Sequence, residues 1–150
     1  MLFRSAQAPA LARSLFESIA STRGFYEQLA LEELGRAITL PARPEPPSAA
    51  EIQTMRSDPG LARALYAIQI GLRAEGVREW NYQTNLHSRG GMNDRELLAA
   101  ASLACEQQVW DRCINTSERT RSVIDIEQRF PMPLKSAVLQ RTAQIELDPA

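Results

Sequence analysis

Residues 48–72 read SAAEIQTMRSDPGLARALYAIQIGL and carry the signals that decide the fold class. Ser48 and Glu51 have the spacing of a capping box, in which each side chain bonds the backbone of the other residue at a helix start. Asp58 and Pro59 predict a second helix start, because aspartate caps helices well and proline fits the first helical position. An apolar stripe at helical spacing follows, formed by Leu61, Leu65, Ile68 and Leu72.

Further helix starts and ends follow this stretch. We expect the second helix to end at Gly76, and Asn93 with Glu96 predicts another capping box. A turn is expected near residues 107–108. Pro133 predicts the start of a last helix. The apolar residues of that helix are Leu134, Val138 and Ile145.

The N-terminal part predicts a helical hairpin. Apolar residues recur at helical spacing from Leu11 to Ile19 and from Phe25 to Leu34, and Gly35 stands where a helix commonly ends. No run alternates for long enough to predict a strand. The expected fold class is therefore all-α, with stacked antiparallel helical hairpins in a superhelical or solenoid-like array and no sheet.

Prolines divide the chain into four predicted segments. Four of the eight residues 40–47 are proline, which removes backbone donors and restrains the preceding residue to extended geometry. We therefore expect a hairpin at 1–35, a proline-rich strap at 36–47, a helical domain at 48–129 and a last helix at 130–150.

Composition excludes several classes of protein. The 17 basic and 18 acidic residues give a net charge of −1, which argues against nucleic acid as a partner. No apolar run approaches the roughly 20 residues that a transmembrane helix needs. The first residues lack the basic and apolar regions of a signal peptide. The sequence carries no signal that sets an oligomeric state.

Cys105 and Cys113 are the two cysteines of the chain. They flank the turn predicted near residues 107–108 at similar distances, so in a hairpin they face each other and are candidates for a disulfide. They also lie on apolar stripes, where a free cysteine behaves as a small hydrophobic residue. Both interpretations stay open. Two cysteines without further cysteine or histidine ligands do not make a zinc site.

Other residue types that could carry chemistry have ordinary explanations. His87 is the only histidine and lacks the neighbours that a metal site or a general base needs, so neither a metal nor another cofactor is expected. The paired Glu17 and Ser18 fit an exposed helix surface. Four aromatic residues fit either sugar stacking or the core, with the core favoured at helical spacing. They are Tyr66, Trp80, Tyr82 and Trp110.

Residues 24–30 read GFYEQLA, and Leu34, Gly35 and the proline-rich strap follow them. This order resembles the last helical repeat of the soluble lytic transglycosylases. In that family an aromatic-Tyr-x-x-Leu-Ala segment followed by Leu-Gly closes a superhelical domain. The resemblance implies that the predicted hairpin is the last hairpin of such a domain.

The resemblance extends over most of the chain. Residues 61–64 read LARA, and together with Gly71, Glu79 and Trp80 they resemble the helical linker domain of that family, which implies this identity for the third segment. Residues 130–133 read FPMP and residues 147–149 read LDP. They resemble the opening helix of the lysozyme-like catalytic domain, so the last segment is expected to be the start of a truncated catalytic domain.

The resemblance also implies a function. Members of the family cleave the bond between muramic acid and glucosamine in peptidoglycan without water, leaving an anhydro-muramic end. A glutamate in a Glu-Ser-Arg-type motif acts as acid and base. Glu17 and Ser18 lie on the wrong side of the Tyr-x-x-Leu-Ala segment for that motif, so no catalytic residue is carried over.

The expected role is a non-catalytic helical scaffold fragment that positions the glycan strand and the catalytic domain. The implied partner is the peptidoglycan glycan strand, the implied location is the periplasm, and no activity is expected of this chain alone. The alternative is a free-standing helical-repeat adaptor that binds a protein through an exposed apolar groove.

Overall fold

The computed structural model describes residues 8–86, 91–145 and 147–148. Over these ranges it contains nine α-helices, one π-helical turn at Tyr82–Leu86 and no strand, which confirms the predicted all-α class. The helices are α1 (Ala8–Ile19), α2 (Phe25–Glu33), α3 (Ala49–Ser57), α4 (Pro59–Gln69), α5 (Arg73–Asn81), α6 (Asp94–Glu106), α7 (Trp110–Ser117), α8 (Ile126–Arg129) and α9 (Lys135–Gln144).

The chain divides into two compact units, Met1–Ala42 and Arg43–Ala150. The division falls inside the proline-rich residues 36–47. In the first unit α1 packs against α2, and in the second the pairs α4 with α5 and α6 with α7 pack against each other. None of the described helices has the length and apolar character to cross a bilayer.

The helix starts predicted at Ser48 and Asp58 are confirmed at atomic detail. Ser48 and Glu51 form the capping box of α3. Asp58 Oδ1 accepts the backbone N–H groups of Gly60 at 2.9 Å and Leu61 at 2.8 Å, which caps α4. All these contacts span three residues or fewer, and the sequence spacing alone therefore predicts them.

The prediction that a helix ends at Gly76 is wrong. Helix α4 ends at Gln69, and Gly71 adopts φ +90°, a left-handed conformation that glycine accepts at little cost. The backbone N–H of Leu72 then bonds the carbonyl of Ala67 at 2.9 Å, closing the helix end. Gly76 instead lies inside α5.

Gly76 has a packing role. A Cβ atom at this position would lie 2.6 Å from the carbonyl oxygen of Ala64 and 2.6 Å from Cγ1 of Ile68, both on α4. The absence of a side chain therefore lets α4 and α5 pack closely.

Two other predicted turns are confirmed. Gly35 follows the end of α2 with φ +67°, and its N–H bonds the carbonyl of Glu32 at 2.9 Å. Gln108 follows the end of α6 with φ 59°, and the N–H of Val109 bonds the carbonyl of Ala104 at 2.9 Å. The left-handed conformation is uncommon for a residue other than glycine, so the sequence predicts the position of this turn but not the positive φ of Gln108.

The last helix differs in its bounds from the prediction. It begins at Lys135, two residues after Pro133, and it ends at Gln144, one residue before Ile145. Leu134 occupies the cap position without a side-chain hydrogen bond. The apolar side chains of this helix and its flanks are exposed, including Leu134, Val138, Leu139 and Ile145.

Helix α6 is the centre of the second unit. It packs against α3, α7 and α8, and seven of its residues are buried. These are Leu97, Leu98, Ala99, Ala100, Ala101, Leu103 and Ala104. A helix that is apolar around most of its circumference is stable only when other helices surround it, and alanine lets those helices approach closely.

Buried hydrogen bonds connect the surrounding helices. The indole Nε1 of Trp80, whose side chain is 0% exposed, donates to Thr116 Oγ1 at 2.8 Å and so joins α5 to α7. Gln128 Nε2 donates to the carbonyl of Leu98 at 3.0 Å and to Ser102 Oγ at 2.9 Å, which joins α8 to α6. Each bond satisfies a polar group whose burial without a partner would lower the stability of the protein.

A disulfide joins Cys105 near the end of α6 to Cys113 in α7, with Cα atoms 5.2 Å apart. Cys113 is fully buried within the apolar core. The bond spans the turn at Gln108 and constrains the α6–α7 pair.

We predict that replacing both Cys105 and Cys113 with alanine lowers the free energy of unfolding. The chain-entropy relation for a separation of 8 residues gives about 2.5 kcal/mol. Urea unfolding of the variant measures the loss, and dithiothreitol should lower the stability of the natural chain without affecting the variant. Two free thiols in the oxidised, denatured protein would contradict the bond.

Candidate functional site

A groove of about 860 Å³ lies at the N-terminal end of α6. The π-helical turn Tyr82–Leu86, the start of α6 and the loop between α7 and α8 contribute its lining. π-Helical turns are rare and frequently occur at functional sites. The polar and charged side chains of the lining include Asn85, Asn93, Asp94, Arg95, Arg119 and Arg121.

Asn93 fixes the start of α6 at the edge of this groove. Its side-chain oxygen accepts the backbone N–H of Glu96 at 3.0 Å, and the Glu96 carboxylate accepts the backbone N–H of Asn93 at 2.8 Å. This capping box confirms the helix start that the sequence predicted.

Asp94 holds the loop between α7 and α8 against the start of α6. Its carboxylate accepts the backbone N–H of Arg121 at 2.8 Å and that of Ser122 at 2.7 Å, and it also accepts the Ser122 hydroxyl. No spacing rule predicts this role, because the partners lie 27 and 28 residues away. An acidic residue in the first turn of a helix is already explained by its favourable interaction with the helix dipole. The position of Asp94 in the sequence therefore does not point to a distant partner.

Arg95 connects α6 to α3 and to the proline-rich strap. Its Nε and Nη2 atoms donate to the two carboxylate oxygens of Glu51 at 2.9 and 2.6 Å. Its Nη1 atom donates to the backbone carbonyl of Glu45 at 2.6 Å. A planar guanidinium that binds two oxygens of one carboxylate fixes geometry as well as charge.

Glu51 is strongly stabilised as a carboxylate. The hydrogen bond from Arg95 lowers its pKa from 4.5 to about 2, and bonds from the backbone and side chain of Ser48 add to the effect. One carboxylate thus serves the capping box of α3 and the connection to α6.

Arg119 differs from Arg95 in its surroundings. Its Nε and Nη2 atoms are covered and have no hydrogen-bond partner among the residues that the structure describes. Burial lowers the pKa of Arg119, and the positive charge of Arg112 lowers it further. Arg112 itself is paired, because it donates to Asp111 at 3.0 Å and to Asn81 at 2.7 Å. No sequence pattern distinguished Arg119 from the other arginines.

The candidate residues named from the sequence are not assembled in this groove. Cys105 lies near the opposite, C-terminal end of α6, where it is bonded to Cys113 of α7. Trp80 belongs to the core, whereas Tyr66 and Tyr82 are 64% and 48% exposed. Glu17 forms an exposed ion pair with Arg13 at 3.3 Å, one helical turn away.

His87 lies outside the described residues. Within the ranges that the structure describes, no group of three or more histidine, cysteine, aspartate or glutamate residues could hold a metal ion.

The fold is similar to that of a solved bacterial enzyme. The X-ray structure of an inactive mutant of the lytic transglycosylase Slt from Pseudomonas aeruginosa aligns with a TM-score of 0.59 and 24% sequence identity. The alignment covers 97% of this chain and 22% of the Slt chain, so this chain spans a small part of the length of that protein. No family model and no curated protein sequence matches the chain.

We predict that Glu51 makes the stability of the protein depend on pH in the acid range. Since its pKa in the folded protein, about 2, lies below the ordinary value of 4.5, its contribution is complete above pH 4.5 and is lost as the pH falls toward 2. Thermal unfolding should therefore show that Glu51→Gln lowers Tm at pH 7 and that the difference from the natural chain narrows between these pH values.

Glu127→Gln is the matched control for Glu51→Gln, because Glu127 forms an exposed ion pair with Arg43. Such pairs contribute little to stability. A constant Tm difference for Glu51→Gln from pH 7 to pH 2 would contradict the role of its charge.

We predict that Asp94→Ala destabilises the protein by about 2 kcal/mol, because two backbone N–H groups lose a charged acceptor. Asp94→Asn should cost less, since one carbonyl oxygen remains. Urea unfolding measures both, with Glu75→Ala on the exposed side of α5 as a control that should change stability by less than about 0.5 kcal/mol. Equal stability of Asp94→Ala and the natural chain would show that the carboxylate does not hold the loop.

Proposed function

We propose that this chain is a non-catalytic helical scaffold segment of a peptidoglycan lytic transglycosylase, and that it positions the glycan strand and the catalytic domain. The reaction of the whole enzyme would be non-hydrolytic cleavage between muramic acid and glucosamine, giving an anhydro-muramic end. The proposed location is the periplasm.

The observation that carries this proposal is the fold similarity to Slt over 97% of the chain. The sequence motifs support it independently, because the GFYEQLA segment, the proline-rich strap, the LARA segment and the final FPMP and LDP segments occur in the order expected for that family. A chance resemblance would not be expected to preserve both the order of the motifs and the helical fold.

The disulfide supports the proposed location. Disulfides persist in oxidising compartments, which include the bacterial periplasm, and are rare in the cytosol. The bond between Cys105 and Cys113 in the buried part of the second unit fits a protein that folds after export.

The ionisation of Glu51 and Asp111 fits a scaffold role. Cleavage of a glycosidic bond requires a carboxylic acid whose pKa is raised so that it can donate a proton. The pKa of Glu51 is lowered instead. For Asp111, burial favours the neutral acid, but hydrogen bonds from Arg73 and Arg112 outweigh it and lower the pKa. Both residues are therefore suited to ion pairs that hold helices together.

The connections of α6 explain how such a segment could position a polymer. Arg95 fixes the strap, Asp94 fixes a loop and the disulfide fixes the α6–α7 turn. A frame that is fixed at several points can hold a substrate in one orientation without taking part in bond cleavage.

The exposed apolar side chains of the helices favour a second candidate, the helical-repeat adaptor. Leu11, Leu15 and Ile19 are exposed on α1, and Val138 and Leu139 are exposed on α9. Exposed apolar surface commonly marks a contact with another protein or domain. The two candidates differ in whether the chain binds glycan.

We predict that the purified chain sediments with purified peptidoglycan sacculi and releases no anhydro-muropeptides from them. Sedimentation measures binding, and mass spectrometry of the soluble fraction measures release. Chitin serves as a control glycan that lacks muramic acid. The scaffold proposal predicts more binding to sacculi than to chitin.

Release of anhydro-muropeptides would contradict a non-catalytic role. Equal or absent binding to both glycans, together with a stoichiometric protein partner, would favour the adaptor.

A further inference from the structure

The guanidinium of Arg119 lies in an unusual electrostatic situation. Two of its nitrogens, Nε and Nη2, are covered and lack hydrogen-bond partners within the described part of the chain. The side chain as a whole is partly exposed and lines the groove at the start of α6. A charged group removed from water without a partner destabilises a protein strongly, so a partner for this edge would be favourable.

Arg95 shows what this edge of a guanidinium binds in the same protein. The Nε and Nη2 atoms of Arg95 hold the two oxygens of the Glu51 carboxylate. The same two atoms are the unpartnered ones in Arg119. The geometry of a planar fork therefore fits a carboxylate, with one oxygen on each nitrogen.

The carboxylates near the groove already have other partners. Asp94 binds the loop between α7 and α8, Glu96 binds the cap of α6, and Glu51 binds Arg95. The positive charge of Arg112 also acts on Arg119 and lowers its pKa. An acidic group from outside the chain would thus enter surroundings that favour negative charge.

We propose that the groove binds a ligand through a carboxylate, whose two oxygens pair with Nε and Nη2 of Arg119. Nε and Nη2 are covered in the structure without ligand, so the proposal requires the Arg119 side chain to change rotamer and to turn this edge toward the groove when the ligand binds. The groove volume of about 860 Å³ is sufficient for a group of the size of an amino acid or a monosaccharide.

This proposal is independent of the scaffold function, since it concerns a site within the second unit and would hold equally for an adaptor. The carboxylate could belong to a peptide or to an acidic sugar. Both sources carry the carboxylate that Arg119 would recognise, but the rest of the molecule differs. Comparing a peptide-like acid with a sugar acid therefore distinguishes the two sources.

The experiment measures the change in Tm of the full chain with two matched pairs of small ligands at constant ionic strength. N-acetylalanine is compared with N-acetylalaninamide, and glucuronate is compared with glucose. In each pair only one member carries a carboxylate. We expect the acids to raise Tm and the neutral partners to leave it unchanged, and the stronger of the two acids identifies the source.

Three variants connect the response to Arg119. Arg119→Met should abolish the response to both acids and should leave Tm without ligand equal or higher, because it removes a partly covered charge whose Nε and Nη2 atoms have no partner among the described residues. Arg119→Lys should weaken binding by roughly tenfold, since an ammonium group lacks the two-nitrogen fork. Arg78→Met, an exposed arginine on α5 outside the groove, is the matched control and should keep the full response.

Three results would overturn the proposal. The first is an equal response to the neutral ligands, and the second is a full response in Arg119→Met. The third is a lower Tm of Arg119→Met without ligand, which would show that the charge of Arg119 already stabilises the folded chain.

Discussion

The burial of α6 is the constraint on which the second unit depends. Seven of its residues, including a run of three alanines at 99–101, are buried, because α3, α7 and α8 pack around it. The small alanine side chains of α6 let those helices approach closely. The two ends of α6 differ in the features that they contact. Its C-terminal end leads to the disulfide, and its N-terminal end forms one side of the groove.

Polar contacts add the precision that apolar packing lacks. Three consecutive residues at the start of α6, Asn93, Asp94 and Arg95, hold respectively the helix cap, the loop before α8 and the proline-rich strap. Apolar contacts are nearly non-directional, whereas these charged and capped bonds specify individual atoms. These bonds are concentrated at the end of α6 that lines the groove. This concentration makes the unpartnered nitrogens of Arg119 conspicuous.

The sequence predicted those features whose physical cause is local. The starts of α3, α4 and α6 depend on caps that act across three residues or fewer, and all three were identified. The stop at Gly71 was missed because the apolar stripe continues to Leu72, and because glycine serves both as a helix end and as a point of close packing. The roles of Asp94 and Arg95 depend on partners 27 to 50 residues away, which no spacing rule reveals. What distinguishes Arg119 is that its Nε and Nη2 atoms lack hydrogen-bond partners among the described residues, and only the folded structure can show this.

The missing side chain at Gly76 has a consequence for the evolution of this protein. Even the smallest substitution there, alanine, would require the carbonyl oxygen of Ala64 to move, and that atom is part of the main chain of a neighbouring helix. A flexible side chain such as Ile68 can adjust, but a helical backbone resists displacement. Substitutions on the outer surface of the α4–α5 hairpin should therefore be tolerated, whereas substitutions of Gly76 should be rare. Related proteins that retain the hairpin should retain the glycine.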